Sequence, residues 1–223
     1  MRRSLLVTDF DGTLTRHDFF RLATEAFAPA GLADYWSRYV SGALTHFEAL
    51  AGIFADIRAS EAEVLAVLAR AEPDPDLAAW VQALDAAGWE VVVASAGCEW
   101  YIRRILARAG VDLEVHANPG RFEPGRGLVM ELPVGSPYFC RSIGIDKAAI
   151  VRAGIAQGRT TAFAGDGFPD AAAARLVPPG LRFARADLAA ALDRDGLPYR
   201  RFERWAEVAQ GLLDRRATSR ART

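Results

Sequence analysis

The stretch Leu5-Leu6-Val7-Thr8-Asp9-Phe10-Asp11-Gly12-Thr13-Leu14-Thr15 decides how the chain is read. Leu5 to Val7 form a short apolar run, the pattern of a parallel strand buried on both faces, and it stops where the carboxylates begin. Extended backbone alternates its side chains, so Asp9 and Asp11 are expected on one side of the strand end and Phe10 on the other. Gly12 then lets the chain turn away sharply. The carboxyl ends of strands are where open α/β sheets bind ligands. Two carboxylates ~4 Å apart near a surface repel by about 4 kcal/mol, so the pair calls for a cation or a proton between them. Carboxylates placed there weaken a strand, which makes a functional role the better account of both.

A chain of 223 residues can bury a full core and carry a smaller second unit. Its formal net charge of −1 gives no reason to expect nucleic acid as a partner, and no apolar run approaches membrane-spanning length. The apolar stretch after Met1-Arg2-Arg3 ends at Val7, too short for a secretory signal. Cys98 and Cys140 are too few for a disulfide framework and lack metal-knuckle spacing, so reduced thiols in a cytoplasmic protein are expected. A monomer or homodimer is expected. Lys147 is the single lysine among 27 cationic side chains. Against a background of arginine it suggests a site that needs one compact point charge, although a chance surface lysine is the plain alternative.

From Arg16 to Asp76 the pattern is helical. Phe19, Phe20, Ala23, Ala26 and Phe27 share one face, and Tyr35, Trp36 and Tyr39 mark a second helix. Thr45 with Glu48, and Ser60 with Glu63, each match a capping box. These aromatic positions read as the helical block's own core. After Pro73-Asp74-Pro75-Asp76, helix and strand alternate. Helices are predicted over Leu77–Ala87, Glu99–Ala109, Asp146–Gln157, Ala186–Asp193 and Phe202–Leu213. Strands are predicted over Glu90–Ala94, Leu113–His116, Thr161–Ala164 and Leu181–Phe183, with a hairpin or loop excursion in Arg121–Leu132. Repeated βα units imply an α/β fold, a three-layer, Rossmann-like, mostly parallel sheet with a small helical cap inserted after the first strand. The predicted boundaries are a discontinuous core of residues 1–15 and 76–214, a cap of residues 16–75, and a disordered basic tail of residues 215–223.

Three strand ends then offer polar groups at one rim: Asp9 and Asp11, Ser95, and Asp166 with Asp170 a turn later. Asp9-Phe10-Asp11-Gly12-Thr13, the Ser95 that ends the second strand, the lone Lys147 and Gly165-Asp166-Gly167-Phe168-Pro169-Asp170 resemble, in order, the four motifs of the haloacid dehalogenase superfamily. The resemblance implies that superfamily's core fold and a phosphatase. Asp9 would be the nucleophile that becomes an aspartyl-phosphate, and Asp11 the general acid and base. Ser95, with the Ala96 and Gly97 amides, Gly12 and Lys147, would hold the phosphoryl group. Mg²⁺ would bind Asp9, Asp11 through its carbonyl, and Asp166. Asp170 would be a further ligand through water or an orienting group. Helix capping is the ordinary alternative for Ser95 and for Asp170.

The insert after the first motif resembles the cap of the phosphoserine-phosphatase-like branch. Leu44–Glu48 with Ile53-Phe54, Arg182–Arg185, and Pro198-Tyr199 resemble the 2-hydroxy-3-keto-5-methylthiopentenyl-1-phosphate phosphatase group. A small phosphorylated metabolite is the expected partner, and Phe19 and Phe20 suit a partly apolar leaving group. Glu25, Arg38, Glu48 and Arg58 are the cap charges available should the substrate be phosphoserine. A metal-free dehalogenase and a non-catalytic phosphate-binding or scaffold protein are the alternatives from other classes. His17, His46 and His116 share no ligand spacing, so surface or capping roles are expected for them.

Overall fold

The computed structural model describes residues 3–220, with side chains as far as residue 215. The chain opens with β1 (Ser4–Thr8) and then four cap helices, α1 (Phe19–Phe27), α2 (Leu32–Val40), α3 (His46–Ala55) and α4 (Glu61–Leu68). It continues through α5 (Leu77–Ala86), β2 (Trp89–Cys98), α6 (Glu99–Arg108) and β3 (Glu114–Asn118). A hairpin of β4 (Gly120–Glu123) and β5 (Gly127–Met130) precedes a two-residue pair, β6 (Phe139–Cys140) and β7 (Gly144–Ile145). Then come α7 (Lys147–Ala156), β8 (Thr161–Gly165), α8 (Ala171–Ala174), β9 (Arg182–Ala184), α9 (Ala186–Arg194), β10 (Arg200–Arg201) and α10 (Trp205–Arg220).

Six of these strands form one sheet, wholly parallel, in the order β10-β9-β8-β1-β2-β3. β1 is central, with β2 on one side and β8 on the other, so the chain reverses its winding direction at β1. That is the crevice where doubly wound sheets bind ligands. Alternation sorts the core into two layers. Leu6 shares one apolar cluster with Leu84, Ile102 and Trp205, from α5, α6 and α10. Leu5 and Val7 share the other with Val151, Ala173 and Leu188, from α7, α8 and α9. Both faces of β1 are therefore dry, as its uninterrupted apolar sequence requires.

The cap joins the core through two segments that run side by side. Thr15 bridges Pro73, and the Arg16 and His17 amides donate to the Glu72 and Ala71 carbonyls at 2.9 and 3.1 Å. Both capping boxes form: Thr45 and Glu48 close the head of α3, and Ser60 and Glu63 that of α4. Each satisfies helix-end amides that otherwise lack partners. Among the described residues no helix is long and apolar enough to cross a membrane, and both cysteines are free, Cys98 buried with its thiol pushed up to about 12 by burial.

Three expectations need correction. β2 does not end at Ala94 but continues through Ser95-Ala96-Gly97 to Cys98, because a bulge between Ala94 and Cys98 carries those residues out of register and the strand then rejoins β3. α10 runs as far as Arg220, into the segment expected to be a disordered tail, and residues 221–223 lie outside the described ones. The pairs β6–β7 and the edge strand β10 were not foreseen, as two-residue strands carry no periodicity.

Candidate active site

β1 continues its pairing one residue past Thr8, where the Asp9 amide donates to the Ala164 carbonyl at 2.9 Å. Phe10 then plugs the core, fully buried, and its carbonyl accepts from the amides of Thr13, Leu14 and Thr15. This turn brings Gly12 against the fourth motif. Its φ is +69°, and a Cβ there would lie 2.3 Å from Asp166 Oδ2, so both backbone and space demand glycine.

Lys147, the first residue of α7, reaches into the strand ends and is only 4% exposed. Its Nζ donates to Asp9 Oδ1 at 2.5 Å and to Asp170 Oδ1 at 2.6 Å. Asp170 Oδ2 accepts from the Asp166 and Gly167 amides at 3.0 and 2.9 Å. Both Asp170 oxygens are thus engaged: the side chain closes the Asp166-Gly167 turn and aims Lys147. It makes no side-chain cap for α8, but its bond to the Gly167 amide caps the short turn of residues 168–170 before that helix. Asp166 is partly exposed and accepts from Thr13 Oγ1 at 3.3 Å.

Oxygens of Asp9, Asp166 and Asp170 lie within 4.8 Å of one another. Three carboxylates against one ammonium leave negative charge in excess. Burial, then the charges of Asp9 and Asp170, push the Asp166 carboxyl up to about 9. Burial raises Asp170 to about 6 although Lys147 opposes it. Burial alone would draw the Lys147 ammonium down, but Asp170 and Asp9 outweigh it and hold the group above its ordinary range. A cation among these oxygens would relieve the same repulsion, and an all-oxygen donor set suits a hard divalent ion such as Mg²⁺.

Asp11 corrects the alternation argument. β1 ends at Thr8, so the turn rather than the pleat sets its direction, and its carboxylate lies outside the group formed by Asp9, Asp166 and Asp170. Asp11 Oδ2 accepts from the Tyr101 hydroxyl at 2.5 Å and Oδ1 from the Phe19 amide at 3.1 Å. Burial, then the nearby charge of Asp18, raises its carboxyl well above the ordinary range, and Asp9 contributes least.

Ser95 is buried in the β2 bulge, and its Oγ accepts from the Gly97 amide at 3.0 Å. It is no helix cap, because Cys98 holds the N-cap position of α6. A Cβ on Gly97 would collide with Tyr101 Oη at 1.8 Å and come within 3.0 Å of Asp11 Oδ2, so the Ser95-Ala96-Gly97 turn lies directly beside Asp11. Three supporting residues escaped the sequence reading. Tyr101 orients Asp11. Asn118, fully buried, donates through Nδ2 to the Ala96 carbonyl at 2.7 Å and to the Ile143 carbonyl at 3.3 Å, joining the serine turn to the segment before Lys147. Trp205 Nε1 donates to Thr8 Oγ1 at 3.1 Å, which donates to the Asp9 carbonyl at 2.9 Å. A lone asparagine at a strand end was a signal for the second; the others read as ordinary core.

The family model for haloacid dehalogenase-like hydrolases matches residues 6–175. The chain belongs to that family. No curated protein matches it significantly in sequence. Among solved structures, this haloacid dehalogenase-like hydrolase is similar to a substrate-bound phosphoserine phosphatase at 18% identity, TM-score 0.65, covering 94% of this chain and 98% of that one. A phospho-aspartyl intermediate analogue of phosphoserine phosphatase matches at 20% identity and TM-score 0.65, over 94% and 99% of the two chains. A probable phosphoserine phosphatase from Vibrio cholerae matches at 18% and TM-score 0.68, over 99% of this chain and 67% of that one. At these identities the likeness shows the shared fold.

Proposed function

We propose that this hydrolase is a Mg²⁺-dependent phosphomonoesterase that turns over a small phosphorylated metabolite through an aspartyl-phosphate. The observation that carries the reading is Lys147 held between Asp9 and Asp170, at 2.5 and 2.6 Å, beside a carboxyl raised to about 9. The residues that would hold the ion are Asp9 and Asp166, with the Asp11 carbonyl, while Asp170 orients the group. When bound, the ion supplies positive charge for the phosphoryl oxygens.

The chain's own groups supply the rest. Asp9 forms an oxygen–phosphorus bond as the ester oxygen–phosphorus bond breaks, and Lys147 fixes the attacking carboxylate. Asp11 gives its proton to the leaving alkoxide, and its raised affinity for that proton suits the task. It then takes a proton from the water that attacks phosphorus, releasing phosphate and restoring Asp9. The Ser95 hydroxyl and the Ala96 and Gly97 amides hold phosphoryl oxygens beside Asp11.

The cap speaks to substrate. Arg38 pairs with Asp34, Glu48 is used in its capping box, and Arg58 pairs with Asp56, all at the surface. That arrangement favours an uncharged leaving group over phosphoserine, and a methylthiopentenyl-phosphate-type ester is the particular case the sequence resemblance suggests. The test is phosphate release from a panel of phosphorylated metabolites, with Mg²⁺ and with chelator. Expected are turnover only with Mg²⁺ and near-complete loss in Asp9→Asn without unfolding. Halide release from haloacids without metal, or no turnover of any ester, would overturn the reading.

A further inference from the structure

The Pro73-Asp74-Pro75 break is where the chain leaves the cap, and it holds a carboxylate outside the catalytic group. The Asp74 side chain is 2% exposed. Its Oδ1 accepts from the Asp76 amide at 3.2 Å, and its Oδ2 from the Ala206 amide at 3.2 Å. Arg204 Nη2 donates to the same two oxygens at 3.2 and 3.4 Å. One side chain thereby fastens the exit linker to the head of α5 and to the head of α10.

Little else holds the linker on that side. A cavity of about 760 Å³ lies against it, bordered by Pro73, Pro75, Arg185 and Trp205. Proline on both sides of Asp74 has no amide to donate, and the Asp74 amide reaches the Leu14 carbonyl only at 3.4 Å. Glu72, just before the linker, holds a φ of +51°, a conformation that disfavours a residue with a side chain. The exit linker in turn supports the entry segment. Thr15 bridges Pro73, and the Arg16 and His17 amides bond to the Glu72 and Ala71 carbonyls. Two residues later α1 begins, and its first amide, that of Phe19, donates to Asp11 Oδ1 at 3.1 Å.

We propose that Asp74 is a positioning residue for Asp11: its clamp fixes the exit linker, the exit linker fixes the start of α1, and the Phe19 amide aims the acid at the leaving oxygen. The inference rests on the phosphatase reading and deepens it. Asp74 touches no reacting atom, so its loss displaces the acid without removing it. A displacement of about 1 Å can slow a reaction on the order of 100-fold. Tyr101 still holds the other Asp11 oxygen, so a smaller loss is expected.

The test uses the unequal need of leaving groups for an acid. Propanol leaves poorly unless protonated, whereas p-nitrophenolate leaves unaided. With Mg²⁺, Asp74→Ala should lower kcat on propyl phosphate about tenfold, change kcat on p-nitrophenyl phosphate less than about twofold, and leave both KM values near wild type. Asp74→Asn keeps one accepting oxygen and should restore part of the loss. Arg204→Ala, at a side chain 57% exposed, removes only the ion pair and leaves the fold intact should an Asp74 variant not fold; it should show the same selectivity at smaller size. Three results overturn the inference: equal losses on both esters, the pattern of a merely structural role; no loss on propyl phosphate in any folded variant; or wild-type turnover of the nitrophenyl ester alone, which would mean that no acid serves the leaving oxygen. Hydrolysis of neither ester by the wild type would instead remove the phosphatase reading, and this proposal with it.

Discussion

Tyr101 and Asp11 are 90 positions apart in sequence, yet the phenol donates to the carboxylate at 2.5 Å across the seam between core and cap. The other Asp11 oxygen accepts from the first amide of α1, so the proposed acid is held by one group from each unit. The tyrosine bond opposes proton uptake by Asp11, against a larger push from burial and Asp18. Tyr101→Phe keeps the ring and removes the bond, so Asp11 should hold its proton to still higher pH. Both limbs of the pH–rate profile that report Asp11 should move to the alkaline side, and kcat should fall by about 10- to 100-fold with KM little changed. An unmoved profile in a folded variant would mean that Tyr101 only fills space.

The carboxylate cluster makes stability depend jointly on pH and metal. Asp166 takes its proton near pH 9 when folded but near 4 when unfolded, so from about pH 4 to 9 the folded state binds more protons. Its contribution is fully favourable below pH 4 and is lost as pH rises through 9. Mg²⁺ relieves the same repulsion without the proton. Thermal melts should therefore show a small Mg²⁺ effect at pH 5 that grows toward pH 9. At about 100 times Kd the gain is ~2.7 kcal/mol, or roughly 5–10 °C in Tm for a chain of this size. A Mg²⁺ shift independent of pH would show that the ion binds elsewhere.

Asn118 tests whether the serine turn needs an external anchor. Its two bonds tie the Ala96 and Ile143 carbonyls together, and a Cβ on Gly144 would lie 1.6 Å from its Oδ1, so the three segments are closely fitted. Asn118→Ala removes one buried and one part-buried hydrogen bond, to the Ala96 and Ile143 carbonyls, a cost of about 1–3 kcal/mol. Because Ala96 belongs to the proposed phosphoryl cradle, KM and the inhibition constant for inorganic phosphate should both rise about tenfold. A stability loss with phosphate affinity intact would reduce Asn118 to a packing role.

What the sequence disclosed follows from the reach of its signals. Leu5–Val7, Glu90–Ala94 and Thr161–Ala164 are apolar runs long enough to be recognised as parallel strands, and their ends place Asp9, Ser95 and Asp166 on one rim. Lys147 stood out by being the only one of its kind. The direction of Asp11 was hidden, because it depends on the strand ending at Thr8 rather than one residue later. Tyr101 sits on the apolar face of α6 and looks like any core aromatic until its hydroxyl is given a partner. His46 could not be placed, since the head of α3 is held by a bond from the Phe47 amide to the Ser142 carbonyl, nearly a hundred residues away.

The longest-range support of the nucleophile is the chain from Trp205 Nε1 to Thr8 Oγ1 to the Asp9 carbonyl, at 3.1 and 2.9 Å and wholly buried. Removing only the middle member strands both ends. Thr8→Val preserves shape but leaves an indole N–H without an acceptor, which should cost about 1–3 kcal/mol and lower Tm by several degrees. Trp205→Phe removes the donor and some buried surface as well. If the hydrogen bond matters, the double variant should lose less than the two single losses added together, with a coupling of about 1 kcal/mol. The same cycle applied to kcat separates anchoring from positioning: Thr8→Val should slow turnover several-fold at temperatures where it is fully folded. Strict additivity in both stability and kcat would show that α10 contributes packing alone.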